Sequence, residues 1–124
     1  MGAEGFRELH VWQRAKTLAV TIYGHSASGP LSRDYGLRDQ IRRAAVSVPS
    51  NIAEGDERDT NKDSVRFLYM AKGSLAELRT QLEIAHDIGF LEPRTFLQLE
   101  ATCAEIGRML GSLIKVRKGL THHQ

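Results

Sequence analysis

The chain has 124 residues, of which 41% are hydrophobic and 26% charged, and its formal net charge is +2. That is the size and composition of one globular domain; it excludes wholesale disorder and leaves no room for a second core. A lone cysteine, Cys103, excludes an internal disulfide framework and a cysteine-based zinc site.

No apolar run approaches the roughly 20 residues that cross a bilayer, and Met1 to Arg14 lack the apolar stretch of a secretion signal. The expected compartment is the cytoplasm, with no membrane partner. Proline occurs only at Pro30, Pro49 and Pro93 in a chain rich in leucine and alanine, which favours helices over a β-sandwich.

The first segment runs from about Leu9 to Ser28. Val11, Ala15, Leu18 and Ile22 form one apolar helical face, widened by Trp12 and Ala19, and Ser28-Gly29-Pro30 ends it. The second segment spans about Tyr35 to Asp56, with Leu37, Ile41, Ala44, Val48 and Ile52 in helical phase. Pro49 lies inside this pattern, where a proline removes one backbone hydrogen bond and crowds the preceding turn. Because the stripe continues across it, the spacing predicts one helix kinked at Pro49, with Gly55 at its C-terminal cap.

The third segment opens with Thr60 as N-cap and Asp63 three residues on, close to a capping box. Leu68, Ala71, Leu75, Leu78, Leu82 and Ala85 make a heptad-like seam. Phe67, Met70, Ser74, Gln81, Ile84 and Ile88 form a second stripe, so this helix is expected to have more than one neighbour. Gly89 ends it. The fourth segment begins at Pro93, suited to a first helical turn. Phe96, Leu99, Cys103, Ile106, Leu110 and Leu113 carry its stripe, and Gly119 is expected to close it. The fold class is therefore all-α, an up-down antiparallel four-helix bundle. One domain covers residues 6–118, and residues 119–124, ending in His122, His123 and Gln124, are a frayed tail.

The small net charge is segregated. Residues 1–28 carry +1, residues 29–59 carry −1, residues 60–92 carry −1 and residues 93–124 carry +3. The last excess comes from Lys115, Arg117 and Lys118. Cations there complement a helix C-terminus, and they also suit phosphate contacts. Arg38, Arg42 and Arg43 form a second basic cluster, in which Arg38 and Arg42 share a face and repel mildly. Their partners are Asp34, Asp39, a neighbouring subunit or nucleic acid.

Gln40, Arg43, Ser47, Asn51 and Glu54 line one polar face of the second helix. On the third helix, Gly73, Ser74 and Glu77 interrupt the apolar rod. Gly73 costs about 1 kcal/mol relative to alanine in a helix interior, which close approach of another helix would explain. Arg43 or Asn51 would then face Glu77, and Ser47 would face Ser74. These seven polar residues (Gln40, Arg43, Ser47, Asn51, Glu54, Ser74 and Glu77) read as a register-setting network, with a solvated face, a subunit interface or a ligand pocket as the alternatives. Glu83-Ile84-Ala85-His86 is the single Glu-x-x-His pattern, where a di-iron bundle needs two. Cys103 lies on the apolar stripe as a small core residue. No phosphate loop or nucleophile elbow occurs. No enzyme, metal or cofactor is expected.

Three blocks carry a resemblance. They are Phe6-x-x-Leu9-x-Val11-Trp12-Gln13-x-Ala15, the run from Tyr35-Gly36-Leu37 through Gln40-Ile41-Arg42-Arg43-Ala44-Ala45-x-Ser47-x-x-x-Asn51-Ile52-Ala53-Glu54-Gly55, and Ala71-x-Gly73-Ser74-x-x-Glu77-Leu78. Together they resemble the bacterial four-helix bundle family encoded in intervening sequences of large-subunit ribosomal RNA genes. The family is related to the accessory protein of diversity-generating retroelements. The resemblance implies an up-down bundle that assembles into a homopentamer, without a catalytic residue to carry over. The related branch implies binding of nucleic acid. The functional expectation is a non-enzymatic scaffolding module for structured RNA or single-stranded nucleic acid, with Arg38, Arg42, Arg43, Lys115, Arg117 and Lys118 on phosphates. The alternative is a protein–protein adaptor without nucleic-acid binding.

Overall fold

The computed structural model describes residues 5–122. A 3-10 turn, Gly5–Glu8, precedes five helices: α1 His10–His25, α2 Gly29–Arg33, α3 Tyr35–Asp56, α4 Asn61–Asp87 and α5 Pro93–His122. No strand occurs among the described residues. The four long helices occupy the four expected segments. Helix α1 packs on α3 and α5, and α4 packs on the same two, so the contacts close into a ring around one core.

The apolar stripes meet in that core. Ile22, Ile41, Val48, Ile52, Leu68, Leu78, Leu82, Ile106 and Leu110 are fully buried. Of the second stripe on α4, Gln81 is buried, whereas Met70, Ile84 and Ile88 remain exposed. Pro49 is buried inside an unbroken α3. Lacking an N–H, it leaves the carbonyl of Ala45 without its usual helical donor. Two residues on, the Asn51 side chain folds back and donates to the Ser47 carbonyl at 2.9 Å.

Local chemistry sets the helix ends. The Asp34 carboxylate accepts from the Leu37 N–H at 3.1 Å, and Thr60 Oγ1 accepts from the Asp63 N–H at 3.1 Å. The Asp63 carboxylate does not complete the capping box; it pairs with Arg66 and Arg58. Helix α4 ends in a Schellman motif. Gly89 has φ +83°, its N–H donates to the His86 carbonyl at 3.0 Å, and the Phe90 N–H donates to the Ala85 carbonyl at 2.8 Å.

The structure departs from the sequence reading at several glycines and prolines. Ser28-Gly29-Pro30 ends α1 but also opens α2, because proline in a first turn lacks only an N–H that would have been unpaired. Gly119 does not close α5, which continues to His122; His123 and Gln124 lie outside the described residues. The close approach expected at Gly73 is absent, since a Cβ there would meet nothing within 4 Å. It occurs at Gly55, where a Cβ would lie 3.1 Å from the Ser64 carbonyl oxygen and 3.2 Å from Phe67 Cβ. Gly55 is therefore a point of tight contact between α3 and α4 as well as part of the last turn of α3.

A buried ion pair joins the same region to α5. Arg117 donates to Asp56 Oδ1 at 2.9 Å and to Ser64 Oγ at 2.7 Å. Asp56 keeps 3% of its side-chain exposure and Arg117 keeps 17%. One guanidinium thus ties the end of α5 to the end of α3 and the start of α4.

Three outcomes follow from this packing. Asp56→Ala is expected to destabilise by about 3 kcal/mol, because it removes the enclosed carboxylate that balances the largely covered Arg117 guanidinium, and to lower Tm by roughly 10 °C in thermal unfolding. Denaturant melts should separate the two glycines: Gly55→Ala loses about 1–3 kcal/mol by overpacking, whereas Gly73→Ala gains up to about 1 kcal/mol from helix propensity. Burial pushes the Cys103 thiol up to about 12, so at pH 8 the folded protein should resist thiol reagents and become reactive only on unfolding.

Candidate nucleic-acid interface

The six cations singled out in the sequence do not form one surface. Lys115 and Lys118 are three residues apart and share a face of α5, while Arg117 points inward to Asp56 and Ser64. The run Lys115-Val116-Arg117-Lys118 is therefore divided by helical geometry into two exposed lysines and one structural arginine.

The two lysines meet α4. Lys115 and Lys118 line a shallow groove of about 510 Å³ with Tyr69, Lys72 and Ile114. Lys118 Nζ lies 3.2 Å from Tyr69 Oη and 5.5 Å from the ring centroid. Tyr69 itself is 45% exposed. Three lysines lining one groove with an exposed aromatic ring can contact phosphates, and the ring offers a surface for stacking on the side away from Lys118. Sequence reading missed Tyr69 and Lys72. Their spacing of three on α4 was the available signal, but it acquires meaning only when α4 lies beside α5.

The arginine cluster is arranged differently. Arg38 lies over the Tyr35 ring at 4.8 Å, pairs with Asp39 at 3.0 Å and donates to the Ser32 carbonyl at 3.2 Å. Arg42 lies over Tyr23 at 4.5 Å and donates to the buried Ser26 Oγ at 2.8 Å. Arg43 is turned about a third of the way round α3 from Arg42 and stands in a cleft between α3 and α4. Asp56 lies 14 residues beyond Arg42 on α3, so the two basic regions are separated by about 20 Å along the bundle.

The seven-residue polar network separates in the same way. Asn51 bonds to Ser47, and Glu54 pairs with Arg58 at 2.7 Å. Gln40, Arg43 and Glu77 line the α3–α4 cleft. Among the described residues, no hydrogen bond joins Arg43 or Asn51 to Glu77, or Ser47 to Ser74.

The residues with potential catalytic or metal-binding chemistry have other surroundings. His86 stacks on Phe96 with centroids 4.6 Å apart and contacts Asp87 at 3.1 Å. Among the described residues, no cluster of three or more His, Cys, Asp or Glu side chains could hold a metal. Glu100 pairs with Arg79, whose pKa is raised mainly by that hydrogen bond. No described helix is long and apolar enough to cross a membrane.

A further surface lies on the α1–α3 side. Phe6, Trp12, Val20, Tyr23, Val46 and Pro49 line an open apolar groove of about 610 Å³. Val20 is 66% exposed, and Tyr23 and Val46 beside it are also exposed, so the groove forms an apolar patch.

Comparison with known proteins agrees with the architecture. No curated protein matches the chain. A crystal structure of a protein of unknown function from the S23 ribosomal protein family of Bacteroides thetaiotaomicron superposes with a TM-score of 0.78 at 22% identity, covering 85% of this chain and 98% of that one. Residues 7–112, which include all three sequence blocks except Phe6, match the 23S rRNA-intervening sequence protein family. By that match across most of its length, the chain belongs to the 23S rRNA-intervening sequence protein family.

Proposed function

We propose that this protein is a non-enzymatic, self-associating cytoplasmic bundle that holds RNA or single-stranded nucleic acid on its α4–α5 face. The observation that carries the reading is the grouping of Lys72, Lys115 and Lys118 around exposed Tyr69. The family's association with ribosomal RNA intervening sequences supports it. Arg38 and Arg42, stacked on exposed tyrosines, form a second contact surface farther along the bundle. Arg117 serves this surface indirectly, by holding the last turns of α5 in place.

The long helices run up and down in alternation. In support, Arg117 near the end of α5 reaches Asp56 at the end of α3, so those two helices point the same way. Pro49 bends α3 locally, as loss of a helical hydrogen bond requires. The bundle forms a homopentamer, as the family resemblance implies, and its subunits bury the apolar groove beside Val20 and Val46.

That groove also favours a second reading, a protein adaptor that seats an apolar partner without nucleic acid.

Binding of a fluorescent single-stranded RNA distinguishes the readings. Three phosphate contacts per subunit predict that affinity falls about twenty-fold between 50 and 200 mM salt. Lys115→Gln with Lys118→Gln should weaken binding and flatten that slope by about 1.4. Affinity independent of salt, or unchanged in the double variant, contradicts the assignment. Partner capture that survives nuclease treatment favours the adaptor.

A further inference from the structure

The cleft between α3 and α4 holds polar groups that neither the fold nor the proposed nucleic-acid surface employs. Its volume is about 390 Å³, and it is lined by Gly36, Asp39, Gln40, Arg43, Glu77 and Gln81. Gln81 is 8% exposed, and its Oε1 is buried without a hydrogen-bond partner. An unpaired buried acceptor costs about 1–3 kcal/mol, so turning the Gln81 amide outward to meet a donor in the cleft would relieve a standing penalty.

The surrounding charges define which donor fits. Asp39 already pairs with Arg38. Among the described residues, that leaves one cation, Arg43, and one anion, Glu77, lining the same cleft without a partner and more than 4 Å apart. Most of the other arginines are paired, with Arg14, Arg38, Arg58, Arg66, Arg79 and Arg117 all joined to carboxylates. Gln40 adds a second amide at the rim. No aromatic side chain lines the cleft, so a flat base would have nothing to stack on. The volume lies at the small end of ligand sites.

We propose that this cleft binds a small zwitterion of the α-amino-acid class. Its carboxylate sits on the Arg43 guanidinium, and its ammonium group donates to Glu77 and, once the Gln81 amide turns outward, to Gln81 Oε1. Both ligand charges are needed, because the cleft offers one uncommitted group of each sign. The site is independent of the lysine surface on α4 and α5.

Thermal shift and calorimetric titration test it with the free L-amino acids, each compared with its N-acetyl and carboxamide forms. At least one free amino acid is expected to raise Tm at millimolar concentration, with both blocked forms inactive. Gln81→Leu should weaken that binding at least tenfold while leaving Tm of the ligand-free protein unchanged or higher. If Gln81→Leu does not fold, Arg43→Gln and Glu77→Gln at the exposed rim carry the same expectation. The proposal is overturned if no free amino acid shifts Tm, if blocked and free forms bind alike, or if the folded variants bind as the parent does.

Discussion

The contact on which the arrangement depends is the buried ion pair between Arg117 and Asp56, with Ser64 as a second acceptor. It joins residues 61 and 53 positions apart in sequence, and it lies beside the close approach of α3 and α4 at Gly55. Two charges out of water are costly to hold unless both are paired and hydrogen-bonded. Here the carboxylate is almost wholly enclosed, so α5 has a strongly favoured position along the bundle. A purely apolar seam of leucines and isoleucines would resist sliding by one turn less strongly, because one buried aliphatic side chain can replace another at modest cost.

The lysine surface inherits that constraint. Lys115 and Lys118 occupy the same turns of α5 as Arg117 but face away from it. Once the arginine is anchored, the lysines are carried to Tyr69 and Lys72 on α4. A structural cation and two surface cations thus share one short basic run. The net charge of +2 is unevenly distributed along the chain, with +3 on residues 93–124, and Asp56 offsets Arg117 of that run but pairs with neither lysine. The apolar groove on the α1–α3 side is lined by different residues from the lysine groove between α4 and α5.

The helices were legible because burial repeats with helical period. Val11 to Ile22, Leu37 to Ile52, Leu68 to Ala85 and Leu99 to Leu110 are the stripes that meet in the core. The capping role of Thr60 and the stop at Gly89 were legible because both depend on neighbouring residues alone. Features set by contact between helices were not. Gly55 and Gly73 look equivalent along the chain, yet only Gly55 has another backbone against it. Arg117 resembled its lysine neighbours until α3 supplied Asp56. Helix α2 was hidden because a proline reads as a break even where it begins a helix. Tyr69, Lys72 and Gln81 gained their significance only from what α5 or α3 places beside them.

The central claim is that Arg117 and Asp56 act as one unit that positions α5. A double-mutant cycle in denaturant unfolding, using Arg117→Met, Asp56→Leu and the pair together, tests it most directly. A coupling of about 2 kcal/mol or more is expected, with the double variant more stable than the sum of the single losses requires, because each single change leaves a largely enclosed charge without its counter-ion and the second removes that charge. Single losses that add to within about 0.5 kcal/mol would contradict it.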